Sequence, residues 1–250
     1  MKLTSVLPIL ALILSSACGG DEDGDNGGSG GGDVKPAKMV QLPAGFWIDS
    51  TEVTRAQYAA WLATKPSAQP AECSWNTSFT PGCDWPPGDK GDHPVVCVDW
   101  CDANAYCQGV GKRLCGKIGG GSNGIDGEDD AALSQWYHAC SSGGLYEYPY
   151  GNDYDSQACN VADRGLDSTA PAGSFPQCQS VEPGFGGVFD QCGNVGEWVD
   201  ACADEAGRED GCVQHSNSAW TSASGGKCGR SAAWRRDEST GFIGFRCCRD

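Results

Sequence analysis

Apolar spacing and capping residues predict one strand and a first helix near the start of the folded region. Residues 45–49 combine aromatic and β-branched side chains and predict a strand. Thr54 and Gln57 have the spacing of a capping box, which predicts a helix that ends before Pro66. The apolar face of this helix would hold Tyr58, Trp61 and Leu62.

Two more helices are predicted before residue 145. The run 93–100 leads into a short helix that continues through Cys107 and is released at Gly109 and Gly111. A loop rich in Gly and Asp follows over residues 117–130, and residues 148–250 have few long periodic segments, so short strands and loops are expected there. The third helix is indicated by apolar residues at helical spacing: Leu133, Trp136, Tyr137 and Cys140.

The N-terminal residues have the pattern of an export signal. Lys2 precedes an apolar run over residues 6–14 that is too short to span a membrane. Residues 16–19 resemble a bacterial lipobox, although Ser15 stands where Leu is usual. We expect a lipoprotein signal peptide over residues 1–17 and a lipidated Cys18 that anchors the protein to a membrane of the bacterial cell envelope. Plain secretion with loss of Cys18 is the alternative.

Residues 18–35 predict a flexible tether after the lipidated cysteine. Gly19 to Asp33 is almost wholly Gly, Asp, Glu, Asn and Ser, and this composition cannot bury apolar surface. The remaining residues, 36–250, are expected to form one domain. The chain has 33 acidic and 17 basic side chains, so we expect no binding to nucleic acid or to an anionic membrane surface.

Sixteen cysteines in an exported chain predict disulfides. Once Cys18 is set aside their number is odd, so at least one thiol is left over unless it pairs between chains. Zinc is a competing interpretation, but the candidate ligands lack the tight Cys-x-x-Cys pairs of structural zinc sites. Those candidates are Cys97, Cys101, Cys107 and Cys115.

Five motifs then occur in an order that resembles the formylglycine-generating enzyme, or sulfatase-modifying factor, family. The resemblance runs from about residue 40 to the end of the chain. It implies a variant of the C-type lectin fold, an α+β arrangement with little regular secondary structure, which agrees with the content of 37 Gly and 13 Pro. The motifs cover residues 51–58, 94–100, 111–114, 193–198 and 244–247.

The resemblance also implies structural calcium and one disulfide. Calcium prefers hard oxygen ligands. A second calcium site would begin at Asn160 and Val161, with Asp163 or Asp167 as its acidic partner, and the implied disulfide joins Cys140 to Cys247. The first calcium site would use main-chain oxygens and one carboxylate, at Cys192, Gly193, Val195 and Glu197.

The chain departs from the family pattern at the cysteines that carry the oxidase reaction. The family's enzymes oxidise a substrate cysteine to formylglycine with a Cys-x-x-x-x-Cys pair that holds copper, and two thiolates are what Cu(I) requires. Here only the second cysteine is present, as Cys228, and the first falls on Ser222 or Ala223. Cys228 is therefore both the candidate catalytic thiol and the candidate free thiol. A second departure is Gly196, which replaces the usual aromatic residue before Glu197.

Other titratable residues favour structural roles. His93, His138 and His215 are far apart in the sequence and share no ligand spacing. The acidic run over residues 126–130 lacks the ligand pattern of an EF-hand, and its charges suit the N-terminal end of the third helix.

Two hypotheses for function follow. The favoured one is a module at the cell envelope that binds a protein or glycan ligand and has lost the oxidase chemistry. The alternative is a copper-dependent formylglycine-generating oxidase that acts on a cysteine of exported sulfatase-like proteins, with Cys228 as the surviving thiol.

Overall fold

The computed structural model describes residue 1 and residues 35–203, 207–215, 218–222 and 226–250. Contacts divide the chain into two units, Met1–Gly30 and Gly31–Asp250, and every element below belongs to the second. Cys18, the tether up to residue 34 and Ala223 lie outside the described residues, so the predictions made for them stay predictions. No helix in the described ranges has the length and apolar character needed to cross a membrane.

Short helices and short strands make up the described part of the chain. The helices are α1 (Arg55–Ala63), α2 (Trp100–Gly109) and α3 (Gln135–Cys140), with single 3-10 turns at Ala71–Cys73, Ile125–Gly127 and Ala162–Arg164. The strands are β1 (Met39–Gln41), β2 (Trp47–Asp49), β3 (Arg113–Leu114), β4 (Gly196–Cys202), β5 (Gly211–His215), β6 (Ser231–Arg235), β7 (Ile243–Phe245) and β8 (Cys247–Arg249).

The strands form two four-stranded sheets. The first has the order β1-β2-β8-β3 and is antiparallel throughout. The second has the order β6-β5-β4-β7, in which only β4 and β7 run parallel. Consecutive strands β7 and β8 belong to different sheets, and the one residue between them is Arg246.

The three helices confirm most of the sequence prediction. At α1 the Thr54 hydroxyl accepts from the Gln57 N–H, and the Gln57 side chain accepts from the Thr54 N–H, so the predicted capping box is present. The third helix differs at its start, because Ser134 caps it and Leu133 lies outside it, 37% exposed. The capping hydroxyl supplies a hydrogen-bond partner for a free helical N–H, which decides the first residue more strongly than one apolar side chain does.

The main core lies between α1, α2 and the second sheet. Its aromatic rings contact one another edge to face or stacked, and they are contributed by residues far apart in the sequence. Two buried tryptophans also donate hydrogen bonds that fix the sheet against α2: Trp100 Nε1 to the carbonyl of Val199, and Trp198 Nε1 to that of Val98. The rings in contact are Tyr58, Trp61, Tyr106 and Phe245.

Seven disulfides join all but one of the cysteines in the described ranges, and they correct the predicted pairing. Cys140 bonds to Cys228 and Cys247 bonds to Cys107, so the predicted Cys140–Cys247 bond is wrong. The pairs are Cys73–Cys101, Cys83–Cys97, Cys107–Cys247, Cys115–Cys248, Cys140–Cys228, Cys159–Cys178 and Cys202–Cys212.

The sheet register explains the correction. Cys247 pairs with Leu114 on β3, and α2 leads directly into β3, so Cys107 near the end of α2 is the neighbouring sulfur. Cys228 donates its N–H to the carbonyl of Glu147, shortly after α3 ends at Cys140. The four cysteines considered as zinc ligands all lie in different disulfides, which removes the zinc interpretation.

Candidate functional site

Glu197 and Arg246 form a fully buried ion pair. Glu197 belongs to the motif at residues 193–198, and Arg246 belongs to the motif at residues 244–247. Arg246 is 0% exposed and donates four hydrogen bonds, two of them to Glu197 at 2.7 Å each. The others reach the carbonyls of Asp49 and Phe189, at 3.1 and 2.7 Å. Burial alone would lower the pKa of Arg246, but the Glu197 carboxylate raises it above its ordinary value. Arg246 therefore stays charged, and its hydrogen bonds to Glu197 join β4 to the crossing between the two sheets.

An aromatic stack connects this pair to a buried histidine. Trp136 Nε1 donates to Glu197 Oε2 at 2.7 Å, and the Trp136 ring stacks on the His215 imidazole with centroids 4.1 Å apart. His215 Nε2 lies 3.0 Å from Glu128 Oε2. The other two histidines bond elsewhere, to Thr169 and to the carbonyl of Ala131. No metal-ligand grouping of the histidines results, in agreement with the structural roles expected for them.

Two further carboxyl groups lie beside Arg246 without an ion pair of their own. Burial raises the pKa of Glu52 well above its ordinary value, and the charge of Asp190 adds to this shift. Burial also raises the pKa of Asp190 to about 6, partly opposed by the N–H of Gly173. Glu52 Oε1 accepts from Asn194 Nδ2 at 3.0 Å. We call Arg246, Glu197, Glu52 and Asp190 the buried charge network.

The Gly-Asn turn is fixed by hydrogen bonds to Asn160. Gly193 and Asn194 both have positive φ, of 85° and 58°. A Cβ at Gly193 would overlap the carbonyl oxygen of Asn160, so only glycine allows this close approach. Asn194 donates its N–H to that same oxygen at 2.8 Å, and its Oδ1 accepts from Asn160 Nδ2 at 3.1 Å.

The predicted calcium ligands fit an ion only in part. Both oxygens of Glu197 accept from Arg246, so this carboxylate is already neutralised and does not fit as a calcium ligand. Asn160 differs, because its Oδ1 is buried with no hydrogen-bond partner among the described residues. This amide oxygen, next to Val161, fits a hard cation, whereas Cys192, Gly193 and Val195 offer only main-chain oxygens.

The cysteines do not fit a copper centre. The sulfur of Cys228 is bonded to Cys140, so Cys228 is neither a free thiol nor a catalytic one in this structure. The free thiol of the described chain is Cys192, which is 0% exposed, and burial raises its pKa to about 12. Cys202 and Cys212 lie near Asp210, but their sulfurs are bonded to each other. A soft Cu(I) ion requires two thiolates, and the described residues offer no such pair.

An aromatic pocket opens on the face of the second sheet. Its cavity has a volume of about 350 Å³. Gly196 forms part of its lining, and a Cβ at that position would overlap Gln214 Oε1, so glycine in place of the usual aromatic residue lets the Gln214 side chain pack there. Three rings line the cavity: Trp220, 48% exposed, Trp234 and Phe242. Its polar lining comes from Gln214, Ser218, Thr221, Arg230 and Ser231.

A second cavity has Arg230 in its lining, as the first does. It has a volume of about 380 Å³, and its other lining residues include Tyr137, Leu145, Tyr146 and Lys227. Arg230 lines both cavities, is exposed, and has no hydrogen bond or ion pair with its side chain in the part of the chain that the structure describes. We call the two cavities together the β6 groove.

Sequence reasoning missed the β6 groove. Residues 218–230 were considered only for the copper pair, and the tryptophans on either side of Cys228 were not used. The available signal was Trp220 and Trp234 flanking a stretch of Ser, Gly and Ala, since large rings beside small residues are typical of a binding surface.

Comparison with known proteins agrees with the motifs. The sulfatase-modifying factor enzyme 1-like domain matches residues 16–250. The chain is 24% identical over 248 residues to the formylglycine-generating enzyme of Mus musculus, which covers 80% of this chain and 58% of that protein. It is 29% identical over 176 residues to the inactive C-alpha-formylglycine-generating enzyme 2 of Bos taurus, with 64% and 51% covered. The chain thus spans little more than half the length of these two relatives.

A solved structure supports the fold. The crystal structure of CarF matches with a TM-score of 0.57 at 22% identity, covering 82% of this chain and 85% of that one. The predicted fold class is confirmed: an α+β, C-type lectin-like fold of the sulfatase-modifying factor type, poor in regular secondary structure and rich in disulfides.

Proposed function

Because the chain belongs to the sulfatase-modifying factor enzyme 1-like domain family, we propose that it is a membrane-anchored lipoprotein of the bacterial cell envelope whose domain binds a ligand without oxidase activity. The observation that carries this proposal is the disulfide between Cys140 and Cys228. It occupies the one sulfur that the sequence offered for copper chemistry.

The remaining cysteine supports the same conclusion. Oxidation of a substrate cysteine through Cu(I) needs two thiolates that solvent and substrate can reach. Cys192 is fully buried, and its raised pKa of about 12 keeps it protonated at neutral pH. The bovine relative that is named inactive matches a similar stretch of the chain, which is consistent with a family that includes proteins without the reaction.

The aromatic pocket supports the binding role. Clustered apolar exposure is typical of binding sites, and Trp220, 48% exposed, lies in one cavity lining with the rings of Trp234 and Phe242. Gly196, which stands where the family usually has an aromatic residue, lets Gln214 pack into the lining of this pocket. The pocket thus lies at the position where the chain departs from its relatives.

The oxidase alternative is tested by mass spectrometry. The purified protein is incubated with Cu(I), oxygen and a sulfatase-type peptide that contains cysteine. We expect no formylglycine product, and the same result for the Cys192→Ser variant. Product that disappears in Cys228→Ser would restore the enzyme and reject the binding module.

The binding role is tested with two matched variants. Trp220→Ala removes a ring from the aromatic pocket, and Leu166→Ala removes an apolar side chain of equal exposure, 48%, elsewhere on the surface. Wild type and both variants are applied to arrays of peptides and of bacterial glycans. We expect array signals that are lost in Trp220→Ala and kept in Leu166→Ala. Signals that do not depend on Trp220 would contradict the proposal.

The anchor is tested separately. Cys18→Ser removes the thiol that would carry lipid. We expect the wild-type protein in the membrane fraction of the cells that express it and the variant in the soluble fraction. Membrane association that survives Cys18→Ser would reject the lipobox interpretation.

A further inference from the structure

We infer that the free edge of β6 accepts an extended peptide strand of a partner protein, with an acidic side chain at Arg230 and an apolar side chain in the aromatic pocket. This inference rests on the proposed binding function and names the class of its ligand. It follows from the hydrogen-bond register of β6, the residues along its edge, and the position of the β6 groove.

The register shows which backbone groups of β6 face away from the sheet. Strand β6 is the end strand of its sheet, and its only neighbour in the described residues is β5. Arg236 donates its N–H to the carbonyl of Asp210, directly beyond the pair Arg235–Gly211. Hydrogen-bonded pairs alternate in an antiparallel ladder, so the N–H and C=O of Ser231 and Ala233 point outward.

A second hydrogen bond agrees with this register. Ala203 donates to the carbonyl of Gly211, so Gly211 faces β4 and not β6. No hydrogen bond to the backbone of Ser231 or Ala233 comes from outside the β5–β6 ladder in the described ranges. The two residues therefore present free donors and acceptors at the spacing of alternate residues in an extended strand.

Among the described residues, the edge at residues 231–233 carries no proline, lysine or bulge that would block strand pairing. Natural edge strands are protected by proline, lysine, bulges or a covering loop. The outer residues here are Ser231, Ala232 and Ala233, all small and exposed, and β5 and β6 pair in continuous register. A flat edge of small side chains lets another backbone approach to hydrogen-bonding distance.

The aromatic pocket lies where side chains of an added strand would project. Ala232 and Trp234 share one face of β6, and Gln214 lies opposite Ala232 on β5, on that same face. Alternate side chains of a strand added beside β6 would extend over this face. The backbone would supply affinity and the pocket would select the side chain, as in other cases of strand addition.

Arg230 supplies the charge preference. The chain carries a formal net charge of −16, yet this exposed guanidinium has no acidic partner in the described residues. It stands immediately before β6 and lines both cavities of the β6 groove. An acidic side chain of the ligand at this position would form a charge-assisted hydrogen bond.

A second copy of the chain fits this edge poorly. Antiparallel self-pairing centred on Ala233 would place Arg230 of one copy opposite Arg236 of the other. Two copies with a net charge of −16 each also repel one another.

The experiment uses a fluorescent nine-residue peptide of alternating Thr and Val, with one Trp and, four residues away, one Glu. Affinity is measured by fluorescence anisotropy against the intact domain. The control peptide has the same side chains but carries N-methyl groups on alternate amides, which prevents strand pairing. We expect the N-methylated peptide to bind at least tenfold more weakly.

Protein variants separate strand pairing from the charge preference. Ala233→Pro removes an outward N–H without breaking the ladder to β5, since proline is tolerated at such positions. We expect it to weaken binding at least tenfold, whereas Ala233→Thr, which keeps the N–H, changes affinity less than threefold. Arg230→Glu should reverse the preference, so that a peptide with Lys in place of Glu binds better.

The outcomes are distinguishable from those of the proposed function. If glycans bind in a Trp220-dependent manner and no peptide binds, the binding module stands and the strand inference is overturned. Equal affinity for the methylated and unmethylated peptides would also overturn it. A dimer seen by analytical ultracentrifugation that is lost in Ala233→Pro would assign the edge to self-pairing instead.

Discussion

Two arginines, sixteen positions apart, have opposite environments in this domain. Arg246 is 0% exposed and donates four hydrogen bonds, two of them to Glu197. Arg230 is exposed and has no partner in the described residues. The first organises the core and the second is available to a ligand. Residue type alone therefore does not indicate the role of an arginine. The role depends on which carboxylates the fold places beside its guanidinium group.

The position of each arginine in the topology explains the difference. Arg246 is the one residue between β7 and β8, so the chain carries it from one sheet to the other through the interior. Transfer of such a charge from water costs several kcal/mol, which the ion pair and its hydrogen bonds offset. Arg230 precedes an end strand, where solvent already satisfies its donors.

The largest effect is expected from Arg246→Met. The substitution leaves the carboxylate of Glu197 buried without its partner, and breaking a buried pair in this way costs about 3–5 kcal/mol. Urea denaturation followed by tryptophan fluorescence measures the loss. The matched control is Arg230→Met, for which we expect a change within about 0.5 kcal/mol because the side chain is exposed and unpaired. Similar losses in the two variants would contradict the comparison.

The disulfide Cys140–Cys228 joins the two regions and gives the next prediction. It connects the end of α3, which carries Trp136, to the residue two positions before Arg230. Its closed loop spans 88 residues. Replacement of both cysteines by Ala should lower the free energy of unfolding by about 2–5 kcal/mol and weaken peptide binding at the β6 groove.

The control for this prediction is a shorter disulfide. Cys202 and Cys212 are 10 residues apart, so their replacement by Ala should cost roughly 2 kcal/mol less in the chain-entropy model. Peptide mapping without reduction should recover Cys140 with Cys228 and Cys107 with Cys247. Recovery of Cys140 with Cys247 would refute the pairing described here.

The buried charge network predicts an unusual pH dependence. Burial raises the pKa of Asp190 from 3.8 to about 6, so between these values the folded state holds a proton that the unfolded state has lost. The resulting stability is full below pH 4 and is lost as the pH rises through 6. We expect the free energy of unfolding to fall between pH 5 and pH 8, by an amount on the order of 1 kcal/mol.

Two variants check that the free energy of unfolding falls as the pH rises. Asp190→Asn has no proton to lose, so its free energy of unfolding should change less over the same pH range. Asp153→Asn alters an exposed carboxyl group and should leave the wild-type slope in place. A wild-type free energy of unfolding that stays constant between pH 5 and pH 8 would contradict the raised pKa of Asp190.

The smallest effect concerns calcium, which we propose at Asn160 and not at Glu197. A buried Oδ1 without a hydrogen-bond partner makes Asn160 the candidate ligand. At ten times its dissociation constant, calcium would stabilise the domain by about 1.4 kcal/mol. Melting curves in EDTA and in calcium chloride should differ by a few degrees in wild type and equally in Glu197→Gln. Identical curves in the two buffers would argue against a bound ion.

The sequence by itself determined the local elements and the family. The capping box at Thr54 and the release of the second helix at Gly109 and Gly111 are local signals, and both helices form where they were predicted. The ordered motifs indicated the family and its fold in the same way, because each motif is a short contiguous stretch. Local interactions of this kind are fully specified by residues a few positions apart.

Only the tertiary structure decided which residues bond to one another. Cys228 was expected to be free and is bonded to Cys140, whereas Cys192 is the thiol that remains. Glu197 was expected to bind calcium and binds Arg246, 49 positions away. The free edge of β6 likewise follows from strand order. These outcomes depend on distances between segments that are remote in the sequence. From the sequence alone, any cysteine could pair with any other cysteine and any acid with any base, and only the fold brings particular partners within bonding distance.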